Sequence, residues 1–144
     1  ADAFCHALME GKANEVEIII PAYMGKTISI RDTFCSKINQ RKFSTMVFFL
    51  EFLSFKTGWE VASNRESGTG FSDIFDEIDD SDIGIVIEVK YSDDENQLES
   101  DCREALKQIK DRDYPQKLRN AGFHKILKYG IACQIKTCKV LVEI

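Results

Sequence analysis

The 144-residue chain has little of what marks secreted, membrane-spanning or fibrous proteins. Its two prolines and eight glycines exclude a collagen-like or low-complexity chain. No apolar run approaches the ~20 residues of a membrane span. The greasiest stretch, Phe43 to Phe55, is short and carries Glu51. Only His6 and His124 accompany five cysteines, Cys5, Cys35, Cys102, Cys133 and Cys138. These are odd in number, scattered and without a CxxC pair, so neither a zinc-ligand spacing nor a disulfide framework is evident. Free thiols in a reducing cytoplasm are the expectation, although Cys133 and Cys138 fall where a late hairpin would set them opposite one another. There is no secretory signal, and the first residue is Ala1 rather than Met; the tail of a longer protein is expected. The absence of a Walker-type glycine loop, of GxGxxG and of GxSxG leaves no support for a nucleotide-binding or hydrolase-elbow enzyme.

What is present is length enough for one domain and a hydrophobic content of 44% with 30% charged residues. A chain of this size builds its core without disulfides or a structural metal. The net charge of -5 conceals an asymmetry. Residues 1–65 are nearly neutral, residues 66–101 carry thirteen acidic side chains against Lys90 alone, and residues 102–144 carry ten basic against four acidic. Overall acidity argues against an indiscriminate nucleic-acid coat. An acidic middle beside a basic tail suits cation binding next to a phosphate-tolerant surface. Asp79, Asp80, Asp82, Asp93, Asp94 and Glu95 sit in two turn-like clusters and read as solvated loops.

The pattern along the chain predicts short helices first. Asp2 caps one that Gly11 ends, Asn14 caps a second reaching about Met24, and Ser29 and Asp32 precede a third. Phe43 to Lys56 reads as a largely buried helix stopped by Gly58. The period then changes, with strands expected over Trp59 to Asn64, Phe71 to Ile78 and Ile83 to Tyr91. Leu98, Cys102, Ala105, Leu106 and Ile109 recur at helical spacing. A short helix over Pro115 to Ala121 and strands over Lys125 to Ile135 and Lys139 to Ile144 complete the chain. This order predicts an α/β sandwich around a mixed sheet.

Three charges stand where the apolar pattern should exclude them. Glu88 and Lys90 lie two apart on the most hydrophobic strand and so share a face. Asp73 lies on the preceding strand, and antiparallel pairing of the two would bring it beside Glu88. Two ionised carboxylates that close repel, and a buried lysine is costly to desolvate. A divalent cation resolves the first difficulty, and a nearby carboxylate or phosphate eases the second. In this D-x14-ExK reading Asp73, Glu88 and the Val89 carbonyl hold Mg²⁺ or Mn²⁺, which prefer oxygen ligands. Lys90 then orients a water or stabilises charge on a phosphate. On spacing alone, the same residues also fit a buried Glu–Lys pair.

The surroundings of these residues resemble a known family. Ser63-Asn64-Arg65-Glu66-Ser67-Gly68 with Asp73, then Glu88-Val89-Lys90, then Gln108-Ile109 and Tyr114, and the tail His124 to Ala132, are similar to the PD-(D/E)xK nuclease-superfamily domain found at the C-terminus of bacterial AAA-ATPase-like proteins. The resemblance covers roughly residues 29–144. It implies a restriction-endonuclease-like core, a central mixed sheet flanked by helices, over residues 41–144, with residues 1–40 as a helical N-terminal extension. It maps the motif aspartate to Asp73, the ExK pair to Glu88 and Lys90, the helix glutamine to Gln108, and an auxiliary glutamate to Glu66. It also implies a cytoplasmic, Mg²⁺- or Mn²⁺-dependent phosphodiesterase that acts on nucleic acid, DNA ahead of RNA, with an ATPase module in the same full-length protein and no membrane association. Arg103, Lys107, Lys110, Lys125 and Lys128 are the basic residues available to receive a backbone.

The chain departs from its relatives at two places. Gly70-Phe71-Ser72-Asp73 stands where they usually carry Gly-Arg-x-Asp, which removes a cation. Arg41-Lys42-Phe43-Ser44-Thr45 lacks their acidic ligand on the first helix; Glu51 reads equally as a substitute for it and as a surface residue. These departures favour an alternative reading, a catalytically silent nuclease-fold module for protein or nucleic-acid binding.

Overall fold

The computed structural model describes residues 2–31, 59–65, 72–78, 82–112, 114–134 and 137–144. The expected helix over Phe43 to Lys56, the third helical stretch after Asp32, and Glu51 and Glu66 lie outside them. Helices α1 (Asp2–Glu10) and α2 (Ala13–Arg31) precede strands β1 (Trp59–Arg65), β2 (Ser72–Ile78) and β3 (Ile83–Tyr91). A 3-10 turn (Glu95–Gln97), α3 (Leu98–Asp111) and α4 (Tyr114–Asn120) lead to β4 (Lys125–Gln134) and β5 (Thr137–Glu143). The five strands lie in sequence order in one mixed sheet. β1, β2 and β3 form an antiparallel meander, β3 and β4 are parallel, and β4 and β5 form a hairpin. This is the expected α/β architecture, a mixed sheet flanked by helices with a helical N-terminal segment.

Local chemistry explains the boundaries. α1 ends at Gly11, whose φ of 73° lies in the left-handed region that glycine enters without a Cβ penalty. Lys12 N–H donates to the Ala7 carbonyl (3.0 Å) and Gly11 N–H to that of Leu8 (3.4 Å), the paired bonds of a Schellman cap. α2 starts one residue before Asn14 and runs past Met24 through Pro21 to Arg31. Ser29 therefore lies within α2 instead of preceding a separate helix. Pro21 has no N–H to offer the helix, but Val16 and Ile20 in the preceding turns are fully buried, so packing outweighs one lost bond.

The central strand β3 is buried on both faces, as a parallel-paired strand between helical layers must be. Its odd residues Ile85, Ile87 and Val89 pack with Phe4, Leu8, Val16 and Ile20 of α1 and α2 and with Leu127, Tyr129 and Ile131 of β4. The Tyr129 hydroxyl donates to the Leu8 carbonyl (2.6 Å) and pins α1 to the sheet. Burial pushes its pKa well above the usual tyrosine value, which favours the neutral hydroxyl that donates this bond. On the other face Val86 packs with Leu106 and Ile109 of α3, Leu118 of α4 and Ile126 of β4. Gly84 also lies on that face, under Leu118, and the two positions on it after Val86 belong to Glu88 and Lys90.

α3 approaches the sheet closely because β4 is small beneath it. A Cβ placed on Gly130 would lie 2.3 Å from the Cys102 carbonyl oxygen and 3.0 Å from the Leu106 side chain. Ala132, two residues on, is buried against Cys102 and Leu98. Gly130 and Ala132 are the register partners of Glu88 and Lys90. The floor of small residues therefore lies directly beside the two charges.

Cys5, Cys102, Cys133 and Cys138 are buried. Cys133 and Cys138 are register partners in the hairpin, and their thiols share a hydrogen bond of 2.7 Å between the Sγ atoms. That hydrogen bond and burial push the Cys133 thiol far up, and burial pushes Cys102 up to about 12. Thiolate is the reactive form, so Cys102 and Cys133 should not be alkylated by iodoacetamide in the native protein at pH 8, and both should be in denaturant. Mass spectrometry reads the difference. Separately, Gly130→Ala should destabilise the protein by roughly 1–3 kcal/mol, the cost of overpacking a rigid backbone contact, as measured by denaturant unfolding.

Candidate active site

The sequence singled out Glu88 and Lys90 because an apolar strand should reject them. The structure places both on the face of β3 that α3 covers, Glu88 with 0% and Lys90 with 3% exposure. Burying either ion carries a penalty of several kcal/mol, on the order that only a partner charge or ion offsets. α3 supplies both partners. Lys90 Nζ lies 3.2 Å from Glu104 Oε2, and Arg112 Nη1 lies 3.5 Å from Glu88 Oε1.

Glu104, Gln108 and Arg112 are spaced i, i+4, i+8 and form one stripe along α3. The stripe opposes β3 with complementary charge at both ends: glutamate to lysine, arginine to glutamate. Gln108 falls between them. Its Oε1 and both carboxylate oxygens of Glu88 are buried without a hydrogen-bond partner. Arg112 neutralises Glu88 without donating a hydrogen bond to it, so the lone pairs of the carboxylate stay open. Orphaned buried acceptors are rare and call for a physical reason. Several oxygen acceptors of this kind on one face fit a hard cation such as Mg²⁺ or Mn²⁺.

Asp73 on β2 is the direct register partner of Glu88, and Ser72 is that of Val89. The backbone register thus sets position 73 directly across from Glu88. Val89 stands between Glu88 and Lys90, with Ile131 across β4. Among the described residues, no group of three or more His, Cys, Asp and Glu side chains gathers.

The structure distributes the basic residues differently from a single patch. Arg103 pairs with Glu99 at 3.0 Å on the exposed side of α3. Lys110 and Lys128 line a cleft of about 260 Å³ with Pro115, Gln116, Arg119 and Glu143. Lys110 lies about 200° around the helix from Gln108, so this cleft is on the opposite flank of α3 from the stripe. Lys107 and Lys125 are exposed. Sequence reasoning missed Glu104 and Arg112; the signal was the i±4 spacing of opposite charges around Gln108.

With the geometry in hand, the comparisons with known proteins are specific. The PD-(D/E)XK nuclease superfamily profile matches residues 43–143, and the chain belongs to that family. That match spans β1 to β5, α3 and α4, the elements that carry the site. No curated protein and no solved structure matches the chain significantly.

The Lys90–Glu104 pair generates a stability prediction. Glu104→Gln removes the charge opposite a buried ammonium. Removing one partner of a fully buried pair costs about 3–5 kcal/mol; with Glu104 58% exposed at its side chain, solvent screening cuts the expected loss to roughly 1–2 kcal/mol. Denaturant unfolding of the variant against wild type measures it.

Proposed function

We propose that the chain is a divalent-metal-dependent phosphodiesterase that hydrolyses nucleic-acid backbone. One observation carries the reading: Glu88, a fully buried carboxylate with both oxygens unbonded, lies two residues from a buried lysine and opposite Asp73 in register. Asp73, Glu88 and the Val89 carbonyl would hold Mg²⁺ or Mn²⁺, with Glu66 as an auxiliary ligand. When bound, such an ion supplies Lewis-acid polarisation of the phosphate and lowers the pKa of a water.

The other tasks fall to the chain. Lys90 is rigidly held on a central strand, so its ammonium is preorganised to meet negative charge developing on the phosphate. Low exposure strengthens that interaction over one in water. Gln108 offers an unengaged carbonyl as acceptor to orient a water or a sugar hydroxyl. Gly130 and Ala132 keep α3 seated, which excludes solvent from the charges.

Residues 41–144 form the nuclease unit in this reading, with 1–40 as the helical extension whose α1 and α2 cover the back of the sheet. Similarity to the C-terminal domains of bacterial AAA-ATPase-like proteins supports an ATPase module in the same polypeptide, cytoplasmic action and DNA ahead of RNA as substrate. No described helix is long and apolar enough to cross a membrane.

A second reading draws on a specific observation. Glu88 and Lys90 are each already paired with a charge on α3, so the fold tolerates them without an ion. A catalytically silent module that binds protein or nucleic acid needs nothing more. A cleavage assay separates the two. Purified wild type should cut single- or double-stranded DNA or RNA with Mg²⁺ or Mn²⁺ and not with EDTA. Lys90→Ala should lose at least ~10²-fold in rate, the scale for removing one preorganised charge-stabilising group. Asp73→Ala should weaken Mn²⁺ binding in a calorimetric titration. Absence of metal-dependent cutting on every substrate, by this chain and by the full-length protein, would favour the silent module.

A further inference from the structure

We propose that Arg112 is a displaceable counterion for Glu88. It holds the carboxylate in place when no metal is bound, and it is the charge that an arriving divalent cation replaces. The proposal rests on the reading of Glu88 as a metal ligand.

Three observations point to it. The Arg112 guanidinium lies 3.5 Å from Glu88 Oε1, yet neither Glu88 oxygen has a hydrogen-bond partner. The contact therefore lacks the short, bidentate bonds that make arginine–carboxylate pairs strong and specific. The Arg112 side chain is 21% exposed and follows the last residue of α3, so solvent is within its reach while Glu88 has none. The Arg112 N–H donates to the Gln108 carbonyl at 3.0 Å, which fixes the backbone at the helix end and leaves the rearrangement to one side chain. Lys90 two residues along β3 is engaged with Glu104 at 3.2 Å, and Gly130 beside Glu88 carries no side chain, so Arg112 is the cation set against this carboxylate by the helix.

A guanidinium and a divalent cation beside one carboxylate repel each other. By linkage, each must then weaken the binding of the other. Arg112 acts through Glu88 and is a positioning residue in this scheme. It holds a buried carboxylate in place before the metal arrives, and it raises the metal concentration at which the site fills.

The test measures Mn²⁺ affinity by calorimetry, and thermal melting in EDTA and in saturating Mn²⁺, for wild type, Arg112→Gln and Arg112→Lys. Arg112→Gln should bind Mn²⁺ about 5–150-fold tighter, the usual span of a site-to-site coupling. It should melt below wild type in EDTA and recover in Mn²⁺. Arg112→Lys, which keeps the charge, should stay near wild type in both readouts. Equal or weaker binding by Arg112→Gln, with wild type binding Mn²⁺, would overturn the counterion role alone. No Mn²⁺ binding by any of the three would overturn the metal-site reading and this proposal with it. An Arg112→Gln protein that is unfolded in EDTA but folded in Mn²⁺ supports the exchange of one cation for another; one that is unfolded in both conditions overturns it.

Discussion

Two opposite charges buried side by side on the central strand are the constraint around which this fold is arranged. Glu88 and Lys90 take positions on β3 that periodicity would give to valine or isoleucine, and neither can leave its face without inverting the whole strand. With 0% and 3% exposure, neither is solvated by bulk water. Both counter-charges come from α3, at 3.2 Å to Lys90 and 3.5 Å to Glu88. The helix must therefore dock in one register only. A one-residue rotation would turn Glu104, Gln108 and Arg112 about 100° away and remove both of these contacts. The ion pairs need not add net stability to do this, since a well-packed apolar replacement is often as stable. They fix which of several similar helix positions the protein adopts.

The rest of the sheet is organised to permit that docking. Gly130 and Ala132, beside the two charges in register, bring the helix backbone near the strands, and the Cys102 carbonyl would collide with any side chain at position 130. The Cys102 thiol donates to the Lys139 carbonyl at 3.0 Å, tying the same turn of α3 to β5. On the reverse face Phe4, Leu8 and Ile20 pack against β3 and β4, and Glu17 accepts the Val140 N–H at 3.0 Å. The two faces thus have different tasks. The back is an apolar core tied down by Tyr129 and Glu17, and the front trades apolar area for charge.

Much of this was legible in the sequence, for reasons that are physical. β3 was placed correctly to both ends because a β-branched run bounded by turn residues has no competing reading. The buried stripe of α3, Leu98 to Ile109, followed from its 3.6-residue period. Glu88 and Lys90 were conspicuous because their cost in an apolar strand is large. The α2 boundaries were read less well: proline and glycine are strong local signals, but the burial of Val16 and Ile20 is a tertiary effect that no window of sequence displays. The α3 counter-charges were hidden for a different reason. Glu104 and Arg112 look like ordinary solvated helix residues, and only their distance to a strand some fifteen residues back or more shows what they face. The basic residues likewise gave no hint that Lys110 and Lys128 would share a cleft away from the stripe.

The arrangement also explains how one fold can serve a working hydrolase or an inert module with few changes. A site that depends on metal to neutralise its acids is unstable when empty, and a site whose acids are fully bonded to protein cannot accept metal. Glu88 lies between these limits: its charge is offset by Arg112, while its oxygens remain without hydrogen bonds. Tightening the Arg112 contact into a bidentate pair would close the site and leave a stable scaffold. Loosening it would expose an uncompensated carboxylate at the cost of stability. A non-hydrogen-bonded ion pair at 3.5 Å satisfies the requirement of the fold for neutrality and leaves the coordination sphere of the carboxylate free. On the proposed reading, the geometry of that one contact matters as much as the presence of the motif residues.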